Sequence, residues 1–218
     1  GNTVAIGAPF NNGNGFSAGH VRIYNWNGTS WIQLGQDIDG ELDNDVSGFS
    51  VSLSSDGNIV AIGAYGNDGN ASASGHVRIY NYNGSSWNQL GQDIDGEAYD
   101  DQSGRAVSFS SDGNTLAIGA ALNDGNGNNA GHARIYNWNG TSWIQLGQDI
   151  DGEFGDDESG YSVSLSSNGN YVAIGSPYND GNGSNSGHVR VFSVGDGTQY
   201  TSPPCSGCTD SLAVNYDP

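Results

Sequence analysis

The phrase "GHVRIYNWNG" at residues 19–28 returns as "GHVRIYNYNG" from Gly75, as "GHARIYNWNG" from Gly131 and as "GHVRVF" from Gly187, a spacing of 56 residues with no insertion or deletion. Its surroundings return in step: "AIGA" begins at Ala5, Ala61 and Ala117, "AIGS" at Ala173, and "LGQDIDGE" at Leu34, Leu90 and Leu146. A chain with such a period folds as an array of equivalent units, each of which buries its apolar face by stacking on its neighbours. Agreement between copies therefore reports first what one unit needs in order to pack.

One unit reads as four short strands. In strand a, "FSVSLSSDG" from Phe49, apolar Val51 and Leu53 alternate with serines, the period-two pattern of a half-buried strand. Strand b, "NIVAIGAY" from Asn58, is apolar nearly throughout, as a central strand covered on both faces would be. The loop "GNDGNASAS" leads to strand c, "GHVRIYNY" from Gly75, and an Asn-Gly pair leads to strand d, "WNQLGQDI" from Trp87. Read as a two-residue turn, Asn27-Gly28 sets Tyr24 opposite Trp31 and Val21 opposite Leu34. Val21, Ile23, Ile32 and Leu34 then share one face, and His20, Arg22, Tyr24, Trp31 and Gln33 the other. Four antiparallel strands per unit describe a propeller blade or a stack of small sheets. The first copy holds b, c and d, the second and third all four, and the fourth a, b and c, which makes about 3.5 blades. The copies run 1–56, 57–112, 113–168 and 169–193, followed by a linker at 194–204 and a Cys-containing unit from 205 to 218. The chain opens within a copy, as a mature or excised part of a longer protein would.

Composition narrows the class. Of 218 residues, 34% are hydrophobic and 36 are glycine, which disfavours long helices. The net charge of −19 argues against nucleic acid or an anionic membrane surface as partner. No apolar run of about 20 residues is present to cross a membrane as a helix. Protein or glycan ligands, cations and self-assembly stay open. Lysine is absent, and four of the five arginines, Arg22, Arg78, Arg134 and Arg190, lie in strand c two residues after His20, His76, His132 and His188. Fixed at one place per unit, these pairs read as structural, each Arg facing a carboxylate of its own or a neighbouring blade.

Antiparallel strands place the b–c loops and d–a linkers at one end and the a–b and c–d turns at the other. Most of the acids collect at the first end. Asp68, Asp124 and Asp180 lie in the "NDGN" loops and are read as a binding face. In the linkers, Asp37, Asp39, Glu41 and Asp45 recur as Asp93, Asp95, Glu97 and Asp101 and as Asp149, Asp151, Glu153 and Asp157. These hard oxygens suit calcium; the competing reading makes them solvated linkers with Asp capping turns. Trp31, Trp87 and Trp143 face the repeated Tyr as blade packing, while Trp26 and Trp138 beside the turn raise a glycan-binding reading. Asn27, Asn70, Asn83, Asn139 and Asn182 stand in Asn-x-Ser/Thr sequences, glycan acceptors if a eukaryote secretes the chain. Cys205 and Cys208 form a CxxC without a second pair, most simply bonded to cysteines beyond Pro218. No nucleophile, zinc-protease or phosphate-loop motif appears, so the chain reads as non-enzymatic.

"SGFSVSLSSDGNIVAIGA" and "SGYSVSLSSNGNYVAIGSP" resemble the FG-GAP repeats of integrin α-type β-propellers. The full unit also resembles long-repeat surface proteins of marine Bacteroidetes and some algae. The resemblance implies an all-β, β-propeller-type array belonging to a seven-bladed ring, extracellular or at the cell surface, with an adhesion or recognition role and no required cofactor. A subunit that builds a filament or surface layer by inter-chain blade completion is the alternative, and a glycan-binding lectin the third. Calcium-binding members carry a DxDxDG-type loop between strands a and b. Here that loop reads "SSDGN", with Asp56, Asp112 and Asn168 at the acidic position, so the family's own calcium site is missing.

Overall fold

A computed structural model describes residues 1–194. The expected linker from residue 195 onward, Cys205 and Cys208 lie outside the described residues. All the elements described are β-strands. The first unit supplies β1 (Thr3–Ala8), β2 (His20–Trp26), β3 (Trp31–Gln33) and β4 (Ile38–Asp39). The second supplies β5 (Ser50–Leu53), β6 (Ile59–Ala64), β7 (His76–Tyr82), β8 (Trp87–Gln89) and β9 (Ile94–Asp95). From the third come β10 (Ser103–Phe109), β11 (Thr115–Ala120), β12 (His132–Trp138), β13 (Trp143–Gln145) and β14 (Ile150–Asp151), and from the fourth β15 (Ser162–Leu165), β16 (Tyr171–Ser176) and β17 (His188–Ser193). Each unit forms its own antiparallel sheet with its strands in chain order. Strands a, b and c thus exist as read and strand d is present in two pieces, and among the described residues the first sheet lacks strand a and the last lacks strand d. The four sheets make an all-β array of blades that does not close on itself.

The c–d hairpin differs from the expected two-residue turn. Trp26 pairs with Trp31 and Tyr24 with Gln33, so the loop is Asn27-Gly28-Thr29-Ser30. Asn27 keeps an ordinary φ and only Gly28, at +100°, is left-handed. The cause is the Asn27 side chain: its Oδ1 accepts hydrogen bonds from the backbone N–H groups of Thr29 and Ser30, both at 2.9 Å. That side-chain turn replaces a type I′ turn, which would need both central residues left-handed. The pairing slips by two residues, so each side chain keeps its expected face.

Strand d is also split. The Leu34 N–H still bonds the Ile23 carbonyl at 2.8 Å, after which the chain leaves the sheet and returns at Ile38, opposite Val21. The intervening "LGQD" is the seat for the next blade's tryptophan. The indole N–H of Trp87 donates to the Leu34 carbonyl at 2.8 Å, and the Gln36 amide bonds both the carbonyl (3.0 Å) and the N–H (3.3 Å) of Trp87. Gly35, at φ +68°, lies beneath the indole, where an added Cβ would stand 3.0 Å from Trp87 Cδ1. Trp143 repeats the bond onto the Leu90 carbonyl at 3.0 Å.

Those seats lie in the cores between blades. Val21, Ile23 and Ile38 of the first sheet pack against Val60, Ile62, Tyr80 and Trp87 of the second. Ala61, Val77, Ile79 and Ile94 pack in the same way on Phe109, Leu116, Ile118 and Tyr136, and Ala117, Ala133, Ile135 and Ile150 on Leu165, Val172, Ile174 and Phe192. The aliphatic face of each blade is therefore closed by the aromatic face of the next. The serines of strand a complete the seams. Ser52 Oγ accepts from the Phe109 N–H at 3.0 Å, Ser108 Oγ from the Leu165 N–H at 2.9 Å, and Ser50 Oγ donates to the Gly104 carbonyl at 2.7 Å. Gly63 and Gly104 let the backbones meet there, since a Cβ on Gly63 would lie 2.0 Å from the Gly104 carbonyl oxygen.

Trp87 is 3% exposed and Trp31, which has no blade before it among the described residues, is 48% exposed. Trp87→Ala should therefore cost ~3–5 kcal/mol of unfolding free energy. Trp31→Ala should stay near neutral in the same denaturant titration.

Candidate functional site

The strand-c phrase places His and Arg on the seam-facing side of each blade, at the end where the linkers run. Arg78 makes its hydrogen bond and its ion pair outside its own blade. Its Nη2 donates to the Asp39 carbonyl at 2.7 Å and its Nη1 lies 3.3 Å from Glu41 Oε1, both in the segment leaving the blade before it. Arg134 repeats this with the Asp95 carbonyl at 2.8 Å and Glu97 at 3.4 Å. Arg190 does so with the Asp151 carbonyl and with Glu153 at 3.8 Å. Arg22, with no preceding blade described, turns instead onto its own Asp37, with Nη2 2.7 Å and Nε 2.9 Å from the carboxylate. That contact, mainly the hydrogen bond from Arg22, holds the Asp37 carboxyl below its usual range. Arg78 and Arg134 also lie over the rings of Tyr80 and Tyr136, at 5.7 and 5.8 Å.

Beside each Arg sits the histidine. His76 and His132 are 2% and 1% exposed. Their Nδ1 atoms stand 3.7 Å from Asp93 and 3.6 Å from Asp149, too far for hydrogen bonds. Burial, aided by the adjacent Arg78 or Arg134, lowers both imidazole pKa values to about 4 despite the nearby acids. Both rings are therefore neutral at physiological pH. His20 lies 3.8 Å from Asp37 and 3.9 Å from Asp39, and His188 reaches Glu153 at 3.7 Å.

The twelve linker acids divide by role. Asp45, Asp101 and Asp157 are buried. Asp45 Oδ2 accepts from the N–H groups of Glu41 (2.9 Å) and Leu42 (2.8 Å), while Oδ1 accepts from Asn67 of the next blade at 3.1 Å. Asp101 accepts from Glu97 and Ala98, and Asp157 from Phe154 and Asn179. These three cap turns, with both oxygens of Asp45 and the Oδ2 of Asp101 and Asp157 committed to N–H donors. Glu41 and Asp93 meet across a seam beside His76, and Glu97 and Asp149 beside His132, with one ligand-type atom per residue within 4.8 Å of the others. His20 gathers Asp37 and Asp39 in the same sense within one blade. A cleft of about 500 Å³ lined by Glu41, Gln89, Gly91, Gln92, Asp93 and Asp95 opens at the first of these seams. One of about 480 Å³ with the equivalent lining opens at the next. Burial and the adjacent acids raise the Asp95, Glu97 and Asp151 carboxyls above their ordinary values.

The loop acids are also engaged. Asp68, Asp124 and Asp180 each accept a backbone N–H five residues on, from Ala73, Asn129 and Asn185, at 2.7–2.8 Å. The linkers are zipped onto these loops: Asp100 and Gln102 donate to the carbonyls of Ser72 and Ala73, and Asp156 and Glu158 to those of Asn128 and Asn129. The whole end is thereby a hydrogen-bonded surface. At the opposite end Asp56 closes its own tight turn by accepting from Ser54 Oγ at 2.6 Å and the Asn58 N–H at 3.0 Å. Of the sequons, Asn27, Asn83 and Asn139 cap the c–d loops through Oδ1. The Asn70 amide donates to the carbonyls of Gly96 and Glu97, and Asn182 lies on the exposed b–c loop.

The sequence reading passed over the aromatic groups of the linker end. Phe154, Tyr178, Asp156, Asp157, Asp180 and Asn185 line a cleft of about 340 Å³. Arg105 lies 4.5 Å over the Tyr161 ring, 5.9 Å from the Phe49 ring and 5.8 Å from that of Tyr65, gathering three blades around one cation. The signal that marks these positions is disagreement between copies. The same repeat position holds Phe10, Gly66, Leu122 and Tyr178; another holds Leu42, Ala98 and Phe154; a third holds Phe49, Arg105 and Tyr161.

A blade of four antiparallel strands, packed face to face on the next, defines a propeller-type repeat protein. Residues 150–192 match the FG-GAP repeat, and the same phrases recur through the earlier copies. No curated protein matches the chain. Among solved structures it is similar to a putative 6-phosphogluconolactonase from Bacteroides uniformis, with 13% identity and a TM-score of 0.58, covering 86% of this chain and 48% of that one. The periplasmic gluconolactonase of Pseudomonas aeruginosa is similar at 14% identity and a TM-score of 0.50, covering 79% of this chain and 46% of that one. The tricorn protease is similar at 12% identity and a TM-score of 0.51, covering 99% of this chain and 19% of that one. The chain spans less than half the length of each. At such identities the likeness shows the fold alone. Among the described residues no helix is long and apolar enough to cross a membrane.

Neutral, buried His76 and His132 give stability a pH dependence. Between about pH 4 and their unfolded value of about 6.5 the unfolded chain binds more protons than the folded one. In chelator, stability should therefore fall as pH drops through that window, by up to ~1.4 kcal/mol per unit for each ring. Urea titrations at several pH values should show the slope reduced in the His76→Gln/His132→Gln double variant.

Proposed function

We propose that the chain is part of an extracellular, non-catalytic recognition module that binds a protein or glycan through the linker end. What supports this most is the cleft of Phe154 and Tyr178 among Asp156, Asp180 and Asn185, on a surface where the copies differ in chemical class while the scaffold residues agree. Phe154 is 69% and Tyr178 42% exposed. Exposed rings fixed on a hydrogen-bonded surface supply stacking and apolar contact at low entropic cost, and the flanking carboxylates accept from sugar hydroxyls or basic side chains. Strain reinforces the fixed geometry: Asp156 and Glu158 hold left-handed φ values of +63° and +50°, a conformation non-glycine residues keep only where surroundings impose it. The FG-GAP match favours a surface location and an adhesive role over hydrolysis. The lactonase activities in the names of the similar structures belong to those proteins.

A second reading, assembly between copies, has its own observation. The first sheet leaves Ile6 51% and Trp31 48% exposed, the last leaves Val189 67% and Val191 43% exposed, and these are the two halves of an internal seam. Light scattering over a concentration series tests it, and a monomer at all concentrations would remove it.

The recognition reading predicts hits on an array of neutral and amino-sugar glycans, or in a library of basic peptides, that weaken about fivefold or more in Phe154→Ala and Tyr178→Ala at unchanged melting temperature. Absence of hits in both formats, or hits indifferent to both substitutions, would sink it.

A further inference from the structure

We propose that the seam between consecutive blades is a binding site for a divalent transition-metal ion of the zinc class, held by a glutamate from the segment leaving one blade and by a histidine and an aspartate of the next. The two sites are Glu41/His76/Asp93 and Glu97/His132/Asp149.

Geometry carries the assignment. In each trio one ligand-type atom from every residue lies within 4.8 Å of the other two. The imidazole Nδ1 to carboxylate separations of 3.7 and 3.6 Å are too long for hydrogen bonds. They are close to the spacing of two ligands on one ion: bonds of about 2.1 Å at tetrahedral to trigonal angles put the donor atoms about 3.4–3.6 Å apart. A second observation is the histidine itself. His76 and His132 are 2% and 1% exposed, and the Nδ1 of each, 3.7 or 3.6 Å from the nearest carboxylate oxygen, makes no hydrogen bond to it. A buried imidazole left without a bonded partner is costly, and coordination beside two carboxylates would give it one. The cleft that takes in Glu41, Asp93 and Asp95 offers room for water ligands and a path in from solvent.

Charge and donor type point the same way. Arg78, 3.3 Å from Glu41, is one cation facing the carboxylates of Glu41, Asp93 and Asp95, so negative charge remains unbalanced. A site of one imidazole and two carboxylates suits zinc and its neighbours in the first transition row, whereas calcium takes six to eight oxygens. The ion would act across the seam, since its glutamate comes from one blade and its other two ligands from the next. This inference concerns the scaffold and does not depend on the recognition cleft.

The test is titration of the chelator-stripped protein with zinc chloride in a calorimeter, with calcium and magnesium as separate arms. Two zinc ions per chain are expected, with a higher melting midpoint in zinc than in chelator. Cobalt(II) should give the visible d–d bands of a low-coordinate nitrogen–oxygen site. The His76→Gln/His132→Gln double variant should lose both zinc equivalents and the cobalt bands. Glu41→Gln/Glu97→Gln, altered at the more exposed ligand, serves where the histidine variant does not fold, and should weaken zinc binding tenfold or more. No zinc heat with identical midpoints overturns the proposal, as does binding that survives both double variants, or uptake of calcium in preference to zinc. Glycan or peptide binding through Phe154 should be unchanged in these variants, so the two readings fail separately.

Discussion

The structure depends on one interaction repeated at every seam: the aliphatic face of a blade closed by the aromatic face of the blade after it. A four-stranded sheet of this size has two faces and little interior, so neither face of a blade is a core by itself. Val21 and Ile23 become fully buried only because Tyr80 and Trp87 lie over them. The tryptophan locks the arrangement, because its indole N–H must reach the Leu34 carbonyl while its ring crosses Gly35. That geometry gives "LGQD" a physical meaning. It is the receptor for the next blade's anchor, which is why the strand leaves its sheet there, and Gln36 side-chain bonds to Trp87 stand in for part of the lost ladder.

Much of this was legible in the sequence because a strict period reports both strand boundaries and strand faces. The alternation of Val51 and Leu53 with serines located strand a, and the continuous apolar run at Ile59–Ala64 located a strand covered on both sides. Two features escaped for local reasons. Asn27-Gly28 has the composition of a type I′ turn, and nothing in the pair of letters tells whether the Asn side chain will cap a longer loop instead. The break in strand d depends on a residue 51–53 positions away, and period-two reasoning holds no information about it. In the candidate site, the pairing of each Arg with a carboxylate was readable from charge scarcity. Its crossing to the preceding blade was not, since periodicity assigns a residue to a face without saying which neighbour that face meets. The linker acids illustrate the same limit: Asp45 and Glu41 are four residues apart, yet one is buried against N–H donors while the other crosses a seam.

Agreement between copies and disagreement between copies carry different information here. Scaffold residues agree because each must fit two neighbours at once: a change at Gly63 would strike the Gly104 backbone, and a change at Ser52 would strand the Phe109 N–H. Residues on the linker end meet solvent and each other, so the exposed Leu42, Ala98 and Phe154 can occupy one position without disturbing the array. A surface built on a rigid, zipped backbone but free in its side chains is the arrangement in which loops carry recognition.

The seams also hold polar groups that an apolar core would omit. Placing Arg78, His76 and Glu41 between blades incurs desolvation, and the Nε atoms of Arg78, Arg134 and Arg190 are buried without a partner. Ion pairs of this kind add little net stability compared with well-packed apolar side chains, and their removal one partner at a time is damaging. They do, however, discriminate between alternatives. Every blade in a repeat array offers a similar aliphatic face to every aromatic face, so packing alone would tolerate a slipped stack. Arg78 accepts no such slip. Its Nη2 must find the Asp39 carbonyl and its Nη1 must face Glu41, and a displaced blade would leave a buried guanidinium among apolar side chains in a chain with few other cations. Concentrating the arginines in strand c therefore converts scarce positive charge into a register mark for each seam, and it accounts for the return of "GHVRIY" in the first two copies, with the Val77 position relaxed to Ala133 in the third and the Ile79 and Tyr80 positions to Val191 and Phe192 in the fourth, while His and Arg stay in all four.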